Sequence, residues 1–122
     1  MMGAAIAGGQ ADCSKRIRDA NDVMRKALPL TNERGRLVIT NGVPALGFEH
    51  LADLLLRVRD FADFSDGDDP YNEHDFGVIE LAGARYIFKI DYYDRSLEWA
   101  SENPADPSLT IRVLTVMCVD EY

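Results

Sequence analysis

At 122 residues, 47% of them hydrophobic and 28% charged, the chain has the size and composition of one globular domain rather than of a disordered segment. Its net charge of −8 removes the usual source of nucleic-acid affinity, which is Lys and Arg displacing counterions from phosphates. Apolar runs such as Leu54-Leu55-Leu56 and Val113 to Val119 fall far short of the roughly 20 residues that span a bilayer.

These limits lead to the expectation of a cytoplasmic protein with no membrane contact. Residues 1–10 lack the basic start of a secretion signal and read as a flexible leader, with residues 11–122 as a single α+β domain. Cys13 and Cys118 are too few and too far apart for a disulfide framework or a metal knuckle, so both read as reduced thiols.

In chain order, the first helix is expected to be capped by Asp12 or Ser14 and to run to about Leu28. Ile17, Ala20, Met24, Ala27 and Leu28 line one stripe and Pro29 stops it. Arg36 to Thr40 reads as a short strand closed by the turn pair Asn41-Gly42. A second helix is predicted over Phe48–Ala62, with Phe48, Leu51, Ala52, Leu55, Val58 and Ala62 inward. The stretch from Asp63 to Asp75 follows as a loop, in which Asp69-Pro70 suits the start of a type I turn.

Three strands complete the chain. Phe76–Leu81 and Arg85–Tyr92 flank a short connection at Ala82-Gly83-Ala84, which predicts a hairpin. In the second of them Tyr86, Phe88, Ile90 and Tyr92 share one face, while Arg85, Ile87, Lys89, Asp91 and Tyr93 share the other. The last strand, Leu109 to about Asp120, is apolar on both faces, so it belongs in the middle of a sheet. The expected architecture is two helices with a four-stranded, mostly antiparallel sheet in the order α-β-α-β-β-β. An apolar patch of Leu114, Val116, Cys118, Ile87 and Ile79 is expected to lie under the first helix, which favours a monomer over a dimer.

Charge is distributed unevenly along the chain. Residues 1–36 carry a net +3, whereas residues 48–75 hold nine acids against Arg57 and Arg59. The acidic segment does not fit an EF-hand: with Gly67 at the sixth loop position, Ala62 falls where the first ligand must be. No glycine-rich phosphate loop, dinucleotide fingerprint or Gly-x-Ser-x-Gly elbow is present. No cofactor and no metal are expected.

Glu73-His74-Asp75 is the most chemical-looking triplet, a histidine being suited to proton transfer. In an extended chain, though, His74 points away from both neighbours. Lys89 and Asp91 share a strand face, but in the order Lys-x-Asp, the reverse of the acid-x-Lys of a metal-dependent nuclease. Pairing with each other on a half-exposed face is the plainer use.

Four strings, taken together, resemble a known group of sequences. They are Asp69 to Gly77, Phe88 to Asp94, Asn103 to Pro107 and Arg112 to Met117, followed by Glu121-Tyr122. With them the chain, over roughly residues 19–122, resembles an uncharacterised domain-of-unknown-function family of short proteins carried on plasmids and mobile elements of alphaproteobacteria. Asp68 stands where Asn is expected, and Phe88 where Trp is common. The resemblance implies the company of plasmid maintenance, conjugation and host-defence conflict, and it assigns no catalytic residue.

Three functions remain in view. The favoured one is a non-catalytic acidic inhibitor of the anti-CRISPR or antirestriction type. It would bind a basic, nucleic-acid-handling protein surface through Asp53, Asp60, Asp63, Asp66, Asp68, Asp69, Glu73 and Asp75, without touching nucleic acid. The second is a small hydrolase-like enzyme using His74 with Asp75, Lys89, Asp91 or Tyr93. The third is a regulatory or structural accessory of undefined partner. Geometry separates the first two: an enzyme needs His74 and the Lys89/Asp91 face to converge in one pocket.

Overall fold

The computed structural model describes residues 2–122, with side chains from residue 12 onward. Helix α1 spans Met2–Lys26. The backbone is thus already helical ahead of Asp12 and Ser14, and neither caps it; Asp12 instead pairs with Arg16 one turn on, at 3.0 Å. The leader expected over residues 1–10 falls where side chains are not described.

Strand β1 (Gly35–Ile39) leads through a turn and a 3-10 segment at Pro44–Leu46 into α2 (Phe48–Arg59). The inward face of α2 carries Leu51, Leu55 and Val58 as expected but differs at the other positions. Leu54 and Val58 are fully buried and Leu51 and Leu55 partly so, whereas Phe48 is 84% exposed and Ala52 and Ala62 face solvent. Positions 51, 54, 55 and 58 are the i, i+3, i+4, i+7 set, so the apolar stripe runs through Leu54. Ala62 drops out because the helix ends at Arg59.

Strands β2 (Phe76–Leu81), β3 (Ala84–Tyr93) and β4 (Ile111–Cys118) complete one four-stranded sheet in the order β1-β4-β3-β2. The β2–β3 and β3–β4 pairs are antiparallel, while β1 and β4 run parallel with Gly35 opposite Arg112 and Ile39 opposite Val116. The sheet is therefore mixed, with β4 in its interior as its two apolar faces require. Two residues, Ala82 and Gly83, connect β2 to β3, because Ala84 already pairs with Leu81. Both have positive φ, at 53° and 81°, the sign pattern of the type I′ turn that matches strand twist.

Pairing register sorts the side chains into two faces. Leu37, Leu114, Val116, Ile79, Tyr86, Phe88 and Ile90 lie on one face, against Leu28 and Met24 of the α1 end and Leu54 and Val58 of α2. Both helices thus cover the same side. Ile87 does not join Leu114 and Val116 as expected, since it sits opposite Met117 on the other face with Lys89, Asp91 and Tyr93.

No helix among the described residues is long and apolar enough to cross a membrane.

Candidate functional site

The acidic stretch divides into two populations. Asp53, Asp60, Asp63, Asp66 and Asp68 are all exposed. Asp53 lies 3.9 Å from Arg57, and Asp60 meets Arg59 through two bonds of 2.9 and 3.1 Å. Among the described residues, Asp63, Asp66 and Asp68 have no cationic partner. From residue 60 to 68 the chain shows four carboxylates to solvent and no Lys or Arg.

Asp69 is buried, and Glu73 and Asp75 are partly so. Asp69 is 4% exposed and accepts the backbone N–H groups of Glu73 and His74, while the N–H of Asn72 reaches the Asp69 carbonyl at 3.1 Å. That last bond closes the expected turn around Pro70. The Glu73 carboxylate accepts the Tyr92 hydroxyl at 2.8 Å. Burial, followed by the charges of Glu73, Asp69 and Asp91, raises the Asp75 carboxyl to about 6.

Tyr92 belongs to a buried polar cluster that ties α1 to the sheet. Asn21 donates to the Tyr92 hydroxyl at 2.8 Å and to the Glu73 carbonyl at 3.0 Å, and accepts from Arg112 Nε at 2.7 Å. Arg112 also donates to the Pro104 carbonyl and lies over the Tyr92 ring. Burial pushes the Tyr92 hydroxyl upward and the Arg112 guanidinium downward.

His74 turns to the helix side of the sheet. Its backbone adopts φ 57°, a left-handed conformation in which its N–H faces Asp69. Its ring stacks on Phe64, with centroids 3.9 Å apart and planes 2° from parallel. Nδ1 lies 2.9 Å from Asp22 Oδ1, and Asp22 is held in turn by Arg25 Nη2 at 2.9 Å. Burial opposes ionisation of Asp22, but the hydrogen bonds from His74 and Arg25 outweigh it and keep its carboxyl below the usual range. With an ionised acceptor there, Nδ1 carries the ring proton.

Arg25 is itself 2% exposed, and its Nη1 donates to the carbonyls of Val58, Arg59 and Phe61 at 3.2, 2.9 and 2.7 Å. These carbonyls lie at and just beyond the end of α2, and that of Val58 also accepts the Phe61 N–H at 3.3 Å. The same side chain therefore caps α2 and fixes the acid that orients His74.

Lys89 and Asp91 pair at 2.9 Å on the helix-free face, which Tyr93 shares, and the pairing raises the Lys89 ammonium. The structure does not bring them together with His74. The partner that His74 does find is Asp22, 52 residues earlier. A weak local signal existed in Asp22 and Arg25, three apart on a helix, but nothing in the spacing pointed to residue 74. Among the described residues no group of three or more His, Cys, Asp or Glu is placed to hold a metal ion.

Residues 39–121 match a protein-family model described as Protein of unknown function (DUF3768). No curated protein and no solved structure matches the chain.

Proposed function

The chain belongs to the DUF3768 family, and since that membership assigns no activity we propose one from the surface chemistry: a non-catalytic acidic protein that binds and inhibits a basic protein surface. The observation that carries the reading is the run from Asp60 to Asp68, with four exposed carboxylates of which Asp63, Asp66 and Asp68 have no cationic partner among the described residues. Such a surface attracts a basic partner over a distance and repels phosphate backbones. The sequence resemblance to mobile-element proteins of alphaproteobacteria supports a finer form, in which the partner is a nucleic-acid-handling defence complex and the protein acts as an anti-CRISPR or antirestriction inhibitor. Asp53, Asp60, Asp63, Asp66 and Asp68 are the contacts in this reading. Asp69 and Glu73 hold the loop that presents them.

The test starts with a pull-down from a host that carries its own defence systems, followed by association kinetics with the captured protein. Asp63→Lys, Asp66→Lys and Asp68→Lys combined should slow association by about ten-fold at low salt, and added salt should narrow the gap. His74→Ala should leave association unchanged. Inhibition that survives the triple reversal and vanishes in His74→Ala would overturn the proposal.

A further inference from the structure

An open cleft of about 510 Å³ lies between α1, the end of α2 and the loop carrying His74. Its charged and polar lining is Asp22, Arg25, Lys26, Arg59, Asp60, Asn72 and His74. The lining acids are spent, Asp22 on His74 and Arg25 and Asp60 on Arg59. The donors are not. Among the described residues Lys26 Nζ and the Asn72 amide have no partner, and Arg59 uses Nε and Nη2 on Asp60, leaving Nη1; the second ring nitrogen of His74, Nε2, is also without a partner. In a protein of net charge −8, this wall carries three cations against two acids.

We infer that this cleft binds the phosphate group of a small molecule, held by Lys26, Arg59 Nη1 and His74 Nε2. A divalent cation is the wrong guest, because no lining carboxylate is free to ligate it. Phosphate suits the donor set, since its oxygens accept several charge-assisted hydrogen bonds at once. Asp22 fixes the ring proton on Nδ1, which leaves Nε2 for the guest. Monobasic phosphate can donate its own proton to a neutral Nε2, and a protonated ring donates to the phosphate, so the contact forms in either state. The stack on Phe64 holds the ring plane in place for it. An extended polyanion is excluded by the carboxylates at 63, 66 and 68, which follow in the same loop.

The chain has two histidines, which makes the test internally controlled. His50 lies outside the cleft, 2.8 Å from the Tyr86 hydroxyl. Inorganic phosphate, and separately glycerol phosphate, is titrated at fixed pH against sodium chloride of equal ionic strength while the two ring resonances are followed by NMR. A saturable shift at His74, with His50 unmoved and chloride without effect, is the expected result. Lys26→Ala removes an exposed side chain and should weaken the phosphate response by about three-fold with the fold intact. Parallel shifts at both histidines, a response that chloride reproduces, or undiminished binding in Lys26→Ala would each overturn the assignment. Saturation by glycerol phosphate but not by inorganic phosphate would keep the site and restrict it to phosphate esters. The outcome is independent of the proposed acidic surface, whose kinetics do not involve Lys26.

Discussion

Arg25 on α1 donates through Nη1 to the carbonyl oxygen of Phe61 at 2.7 Å, one residue beyond the C-cap of α2. Its positive charge meets the negative end of that helix, and its other terminal nitrogen meets Asp22. Arg25→Met should therefore cost about 3–5 kcal/mol, since it strands buried carbonyls and a partly buried carboxylate together. Chemical denaturation measures the loss, and a value below about 1 kcal/mol would mean that water replaces the guanidinium at no great cost. Arg25→Lys should recover only part, because one ammonium cannot reproduce the planar fork.

The face of α2 offers a second measurement. Leu54 is fully buried, so Leu54→Ala should cost about 2–5 kcal/mol. Phe48→Ala, at a ring 84% exposed, should cost less than about 0.5 kcal/mol despite removing more atoms. Thermal melts of the two variants rank them, and a reversed order would shift the stripe back onto Phe48.

Asp75 should make stability fall with pH. Its ordinary carboxyl value is about 3.9, and in the folded chain it is raised to about 6. Between those values the folded protein keeps a proton that the unfolded chain has lost. The contribution is thus present below about pH 4 and lost as pH rises through about 6. Asp75→Asn removes the titration, and its advantage over the parent should grow across that window to about 1 kcal/mol near neutrality, a figure discounted because the group is only half buried. A constant difference from acid to neutral pH would show that Asp75 is not the responsible group.

Neighbouring acids in the loop should behave in opposite ways. Asp69→Ala leaves the N–H groups of Glu73 and His74 without their acceptor, at a cost of about 1–3 kcal/mol. Asp68→Ala, one residue earlier and exposed, should cost less than about 0.5 kcal/mol. Amide hydrogen exchange at Glu73 and His74 gives a local readout, with protection lost in Asp69→Ala alone.

That contrast also marks how far the sequence carries. The strands β2 and β3 were legible because alternation of Tyr86, Phe88, Ile90 and Tyr92 is a local property with a period of two. The central place of β4 was legible from its two apolar faces. The fate of Asp69, Glu73 and Asp75 was not, because the backbone turn at Pro70 folds them inward while Asp66 and Asp68, of the same chemistry, stay outside. The partners of His74 and Tyr92 were illegible for a related reason. Asn21 and Asp22 reach them from α1, and no spacing rule covers contacts set by how α1 lies on the sheet. In α2 the expected Leu51, Leu55 and Val58 do face inward, but Leu54 takes the place expected for Ala52, and only packing against the sheet shows which flank of that stripe is covered.

The parallel pairing of β1 with β4 has a consequence for synthesis. Gly35 meets Arg112, so β1 is made 77 residues ahead of its only neighbour in the sheet. Until β4 emerges, β1 has unpaired edges on both sides, and the hairpin of β2 and β3 lacks the strand that joins it to the rest. Sheet assembly therefore ends with insertion of the middle strand rather than growth outward from it. Non-local closure of this kind is slow, and until it occurs the edges of β1 at Leu37 and Ile39 are open to pairing elsewhere.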